Sequence, residues 1–321
     1  MPFTVIANTM QALVKYHGLK DWDLRIPYHD SISVNTTSLY SEVRVTTGAE
    51  GRLLVEGRED PDAQRRVERV SRRLTGKPFA ELGLGIDSRN TPGVKGKGLG
   101  FSSSAGAALT FAIDHAVNGS SRPDLRELSR VSRLFASSAS RTMVGGFSRL
   151  HAGRGDEDSY SEKIADERDL PLRTVIVPLP STVRTEMAHE EVETSPFFRA
   201  RIESATKRCE LVEKAIRGGD LATLGELVEQ DTMELHSVTM TGTNRMMVMS
   251  SDTIEVITKI RELRSNSVQA YFSMQTGPSV FINTTEEDEP KVRRAMAKIG
   301  YRTISSSVGR EARLKRGRAK P

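Results

Sequence analysis

The 321-residue chain has a single cysteine, Cys209, so it can form neither an intrachain disulfide framework nor a multi-cysteine zinc site. Aromatic residues make up only 5% of it, with one tryptophan. No run approaches the roughly 18 apolar residues that span a bilayer. The N-terminus lacks a basic stretch followed by a cleavable apolar segment, so no signal peptide is expected. Charge of one sign is also scarce. The net charge is +5, and the last thirteen residues hold six basic residues and one acidic, which leaves 41 of each sign elsewhere. A nucleic-acid reader concentrates basic charge on a folded surface, and that pattern is missing. The reading is a soluble cytoplasmic protein with no nucleic-acid or membrane partner. Residues 309–321 are expected to form a solvated basic tail.

What is present is an even spread of apolar residues, enough for a sizeable core. Residues 31–37 and 40–46 are rich in β-branched types and read as strands. Ala63, Val67, Val70 and Leu74 form a helical stripe over 62–75. A strand over 82–89 leads into a glycine- and serine-rich stretch and then a helix to about 117. Another helix starts near Pro123, with Leu125, Leu128, Val131 and Leu134 inward. Residues 173–179 read as the strand that opens a second lobe. Helices over 196–217 and 220–236 follow, broken by Gly218-Gly219-Asp220 as a stop and an N-cap. A Met- and Thr-rich loop covers 237–250. A helix at 252–264, strands at 269–274 and 279–284, a helix at 287–299 and a strand at 301–306 complete the chain. Hairpins outnumber βαβ units, so the expected class is α+β, with helices layered over largely antiparallel sheets. The division is 1–172, 173–308 and the 309–321 tail.

The stretch from Pro92 to Ala108 carries the most chemistry. Gly96, Gly98 and Gly100 let backbone approach an anion, and Lys95 and Lys97 add charge. Ser102, Ser103 and Ser104 add hydroxyls, and the helix that follows presents free N–H groups and a positive dipole end. By itself such a stretch is as often a plain loop with an N-cap. It is not a Walker-type loop, because no Lys-Ser or Lys-Thr follows the last glycine.

Gly98-Leu99-Gly100 with Ser102-Ser103-Ser104-Ala105 resembles the phosphate loop P-x-x-x-G-L-G-S-S-A of the GHMP kinase superfamily. The Pro-to-Gly spacing is longer here, and Phe101 interrupts the match. Leu13-Val14-Lys15-Tyr16-His17-Gly18 and Pro27-Tyr28-His29-Asp30-Ser31-Ile32-Ser33-Val34 resemble segments of diphosphomevalonate and archaeal phosphomevalonate decarboxylases. So do Ser137-Ser138-Ala139-Ser140-Arg141 with Gly145-Gly146-Phe147, the stretch from Met187 to Phe198, and Tyr271 to Val280. These matches are collinear from about residue 7 to 285. The chain is therefore identified as a member of that family. The resemblance implies a two-lobed GHMP-kinase-like fold, a small phosphorylated substrate and a homodimer.

The resemblance also assigns roles. Arg141 would hold the substrate carboxylate, a task suited to its planar fork. Lys15 would lie near the 3-oxygen, and Ser138 near the substrate. Tyr16 and His17 would wall the pocket, Ser102, Ser103, Ser104 and Thr276 would line it, and Lys20 would take the 5-phosphate. Leu19 stands where diphosphate-using relatives carry a basic residue, which favours a 5-monophosphate.

One position departs from the family. ATP-dependent members carry an Asp in the late turn, close to the 3-hydroxyl that they phosphorylate before decarboxylation. Here Gln275 stands in its place, and an amide accepts no proton at neutral pH. No base is needed if the 3-oxygen arrives already phosphorylated. That points to the ATP-free branch of the family, which acts on mevalonate 3,5-bisphosphate and yields isopentenyl phosphate, with no cofactor. The alternatives are an ATP- and Mg²⁺-dependent phosphomevalonate or diphosphomevalonate decarboxylase, a kinase of a mevalonate derivative, and a noncatalytic binding protein. His29, His115, His151, His189 and His236 show no metal-ligand spacing, so no metal site is expected. Cys209, on a helix, is expected to be buried rather than nucleophilic.

Overall fold

The computed structural model describes residues 2–181 and 185–315. In chain order the strands of the first lobe are β1 (Phe3–Val14), β2 (Leu19–Asp21), β3 (Ile26–Pro27), β4 (Ser31–Thr47), β5 (Arg52–Val55), β6 (Leu84–Asn90), β7 (Phe147–Leu150) and β8 (Ser161–Ala165). Its helices are α1 (Pro61–Thr75), α2 (Phe101–Asn118), α3 (Leu125–Arg133) and α4 (Ser137–Val144). The rest contains β9 (Arg173–Val177), α5 (Thr185–Glu193), α6 (Phe198–Arg217), α7 (Leu221–Met240) and α8 (Ser251–Ser265). After these come β10 (Ala270–Met274), β11 (Val280–Thr284), α9 (Glu289–Lys298), β12 (Ile304–Ser306) and β13 (Arg313–Leu314).

The α+β expectation holds. One sheet runs β13-β1-β4-β6-β5, with β7 pairing β4 and β8 pairing β7. Only its β5–β6 pair is parallel. The second sheet, β10-β11-β9-β12, is antiparallel throughout. Helix boundaries follow local chemistry. Asp60 caps α1 by accepting from the N–H groups of Asp62 and Ala63, and Pro61 opens the helix. Asp220 accepts from Thr223 N at 3.0 Å and caps α7. The α7 helix runs on to Met240, four residues past its expected end, with Leu235, Val238 and Thr239 buried.

Three apolar layers assemble the molecule. Val5, Val43 and Val45 of the large sheet pack against Val67, Val70, Phe111 and Ile113 of α1 and α2. Leu13, Val14, Ile32 and Val34 meet Ala205, Cys209, Val212 and Val228 of α6 and α7. The small sheet buries one face under α8 and α9, where Val175, Phe272 and Ile282 meet Val256, Ile260 and Met296. Its other face supplies Ile176 and Phe281, which pack on Leu39 and Leu99 of the first lobe. Cys209 is fully buried, and burial pushes its thiol pKa well up, so it is held as an unreactive thiol.

The structure corrects two expectations. Residues 31–47 form one strand, and the polar break between the two expected strands is an irregularity opposite Asn8–Met10. There the Thr37 N–H reaches the Ser307 carbonyl and Ser306 Oγ, so the break is where the second lobe docks. The expected tail is also folded as far as Lys315. Ala312 is buried, and Arg313 and Leu314 pair with Ile6 and Val5. That pairing covers a flank of β1 that would otherwise be an open sheet edge. Residues 316–321 lie outside the described residues.

Candidate active site

A cleft of about 380 Å³ opens between the lobes. Its walls come from the end of β1, the N-termini of α2 and α4, one side of α1, α5, and the turn between β10 and β11. Lys15, Tyr16, Ser102, Ser103, Ser138, Gln275 and Thr276 line it, as do Gly96, Lys97, Gly98 and Gly100.

Lys15 is fixed through its backbone. Its N–H donates to Asp231 Oδ2 at 2.9 Å, and its carbonyl accepts from Arg201 Nη2 at 2.8 Å. Asp231 and Arg201 are themselves paired at 2.7 Å and both buried. The Lys15 side chain is thereby left free to serve the cleft. Burial, then the nearby Arg141 charge, lowers its pKa from 10.5 to about 7, against a smaller opposing pull from Asp231.

Arg141, on α4, has no exposed surface and stands behind the cleft wall rather than in it. Its guanidinium lies 5.4 Å from the Tyr16 ring centroid, and Nη2 is 4.0 Å from Met10 Sδ. Nε and Nη1 are buried without a partner. A buried guanidinium with unmet N–H groups is costly unless an anion approaches it. Arg141 is thus poised for an anion arriving past Met10 and Tyr16, both of which line the cleft.

The glycines of the 96–100 loop meet a steric need. Gly98 and Gly100 have φ of 81° and 82°, where side chains are strained. A Cβ on Gly100 would stand 2.8 Å from the Met10 carbonyl. Ser103 Oγ donates to Ser138 Oγ at 2.6 Å, tying the α2 and α4 N-termini together. Gln275 is buried, with Nε2 3.4 Å from the Ala12 carbonyl.

Besides Arg141, three of the expected residues stand outside the cleft lining. Ser104 is bonded to Ser41 at 2.7 Å behind the loop. His17 supports the cleft from behind, its Nε2 sharing a 2.9 Å hydrogen bond with Thr276 Oγ1. Lys20 is exposed, and its ammonium sits on the Gly153 carbonyl, outside the cleft. Two arginines that no sequence motif singles out, Arg25 and Arg66, do line the cleft. Both approach Glu186 Oε1, at 3.8 and 2.6 Å. Arg25 has a left-handed backbone, φ 55°, and its carbonyl accepts from Ser137 Oγ at 2.7 Å. In the sequence Arg66 is one of several charges on an amphipathic helix, and nothing in that spacing sets it apart. His189 also lines the cleft.

The chain matches the diphosphomevalonate decarboxylase-like N-terminal domain over residues 7–161 and the mevalonate 5-diphosphate decarboxylase C-terminal domain over residues 180–314. It is 36% identical to the phosphomevalonate decarboxylase of Haloferax volcanii, over 98% of each chain. This chain belongs to the mevalonate phosphate and diphosphate decarboxylase family. It is accordingly a carboxy-lyase on the GHMP scaffold. Another family member, the diphosphomevalonate decarboxylase of Debaryomyces hansenii, is 26% identical over 88% of this chain and 79% of that one. In fold, the Staphylococcus aureus mevalonate diphosphate decarboxylase superposes with a TM-score of 0.88 at 24% identity, covering 98% of each chain. Among the described residues of this decarboxylase, no helix is long and apolar enough to cross a membrane.

Proposed function

We propose that this decarboxylase takes mevalonate 3,5-bisphosphate and needs no ATP. The C1–C2 bond breaks and carbon dioxide leaves. Its electron pair becomes the C2=C3 bond, and the C3–O bond breaks as its electrons leave with the 3-phosphate. The product is isopentenyl phosphate.

The observation that carries this reading is Gln275, a buried amide lining the cleft where ATP-dependent relatives hold an aspartate. An amide beside the 3-oxygen removes no proton, but it tolerates a phosphate there without like-charge repulsion. Lys15 takes the 3-phosphate and offsets the charge that grows on it as the C3–O bond lengthens. Arg141 holds the carboxylate through its unmet N–H groups until carbon dioxide departs. Arg25 and Arg66 take the 5-phosphate. The Gly96–Gly100 loop and the first amides of α2 suit a phosphate oxygen, whether of the substrate or of a nucleotide.

The 36% identity to a phosphomevalonate decarboxylase favours the ATP-dependent alternative. In that case a nucleotide would occupy the glycine loop and supply the 3-phosphate. Carbon dioxide release separates the two. The expected result is turnover of mevalonate 3,5-bisphosphate without nucleotide, and little from mevalonate 5-phosphate with ATP and Mg²⁺. Faster turnover of the second mixture overturns the proposal.

A further inference from the structure

His189 lies on α5, is 4% exposed and lines the cleft. Its Nδ1 accepts a hydrogen bond from the Gly18 backbone N–H at 3.1 Å. A backbone amide only donates, so Nδ1 carries no proton, and the single proton of a neutral ring sits on Nε2. The ring is clamped in place. It stacks on Tyr16 with centroids 5.5 Å apart, and meets the edges of His17 at 5.3 Å and Trp22 at 6.4 Å. Burial, then Lys15, Arg25 and Arg66, hold its pKa well below the ordinary imidazole value. No hydrogen bond to Nε2 forms among the described residues. An N–H without a protein partner, on a residue that lines a polar cleft, is a group waiting for an acceptor.

Its place on the helix indicates which acceptor. Glu186 precedes His189 by three residues, so the two share a face of α5. Glu186 is the carboxylate that holds Arg66 and approaches Arg25. His189 therefore stands close to both arginines, whose charges act on its ring.

We infer that His189 is a substrate-binding residue whose Nε2–H donates to the 5-phosphate, adding a neutral donor to the two arginine charges. The neutral form is what the site requires here, since protonation at Nδ1 would break the Gly18 bond. His189 acts as a hydrogen-bond donor and transfers no proton. The inference rests on the proposed site, in which the 5-phosphate lies at Arg25 and Arg66. It is independent of whether the 3-oxygen arrives phosphorylated.

The test is calorimetric binding without nucleotide, with mevalonate 5-phosphate and unphosphorylated mevalonate as probes. In His189→Asn the side-chain oxygen still accepts from Gly18, but no N–H reaches the cleft. Affinity for mevalonate 5-phosphate should fall about 10- to 150-fold, the range for a hydrogen bond to a charged group. Affinity for mevalonate should change less than about twofold, a loss below the range for a hydrogen bond. His189→Gln, whose amide nitrogen lies near the Nε2 position, should recover most of the lost affinity. Unchanged phosphate binding in a folded Asn variant overturns the inference, as does an equal loss for both probes. Failure of the wild type to bind mevalonate 5-phosphate also overturns it. If the variants do not fold, ¹⁵N-histidine NMR of the unmodified protein decides. The His189 signals should report the Nε2–H tautomer and move with mevalonate 5-phosphate, but not with mevalonate. An Nδ1–H tautomer, or no movement, overturns the inference. None of these measurements involves turnover, so the outcome stands apart from the test of ATP independence.

Discussion

Lys15 gives the sharpest pH prediction. A lysine lowered from 10.5 to about 7 has its charged form disfavoured by roughly 5 kcal/mol relative to water. The causes are burial first and the Arg141 charge second. With a pKa near 7, about 90% of the free enzyme is uncharged at Lys15 by pH 8. The proposed role needs the ammonium, so kcat/KM should fall as pH rises through about 7. A phosphate beside the ammonium favours the charged form and raises its pKa, so the basic limb of kcat should lie higher than that of kcat/KM. The same linkage requires proton uptake when the phosphate binds. Calorimetric titration of mevalonate 3,5-bisphosphate at pH 8, in buffers of differing ionisation enthalpy, should show close to one proton taken up per site. In Lys15→Met that uptake should vanish while the fold persists. A kcat/KM flat from pH 6 to 9, or no proton uptake at pH 8, would refute the claim that Lys15 meets the substrate phosphate.

Three further outcomes follow from the same geometry. Gln275→Asp should weaken bisphosphate binding increasingly as pH rises, because two anions about 4 Å apart repel by about 4 kcal/mol at an effective dielectric of 20. KM for the bisphosphate across pH 5–9 checks this, and unchanged kinetics at pH 9 would separate residue 275 from the 3-phosphate. Arg141→Lys should lower kcat roughly 30- to 1000-fold in a folded protein, since the point charge loses the fork; near-normal kcat would remove Arg141 from the site. Asp231→Asn leaves Arg201 and Arg208 without their shared buried carboxylate. It should cost about 3–5 kcal/mol in urea unfolding, and an unaltered midpoint would contradict the clamp on Lys15.

How much of this was legible in the sequence varies with the local physics. The apolar spacing of Ala63, Val67 and Val70 defines α1 because that helix buries one stripe only. Strand β1 hides its period. Its inner residues include Asn8, Thr9 and Gln11, which are buried because other chain segments meet their polar groups. Thr9 Oγ1 bonds Thr36 Oγ1 at 2.8 Å, while Gln11 Nε2 donates to Ser273 and Asn283 at 2.8 and 2.9 Å. Such partners lie up to 272 positions away, beyond the reach of local pattern. In the cleft, motif resemblance brings out Lys15, Ser138 and Gln275, all of which line it. Lys20 is misplaced by the same reasoning, because only the folded chain shows its ammonium turned toward Gly153. Arg25 and Arg66 carry no motif, His189 lies in the Met187–Phe198 stretch without a role that the resemblance assigns, and the three converge only through tertiary packing.

Gly98 and Gly277 meet across the lobes. A Cβ on Gly98 would stand 3.1 Å from Gly277 Cα, and one on Gly277 would stand 2.5 Å from the Lys97 carbonyl carbon. Backbone therefore touches backbone at the point where the glycine loop passes the Gln275 turn. Neither glycine can change alone without pushing its counterpart away, so the pair works as a single lock between halves of the chain encoded nearly 180 residues apart. A chimera joining the first lobe of one relative to the second lobe of another would have to inherit both glycines together. A library that varied residues 98 and 277 independently should return survivors concentrated at Gly-Gly.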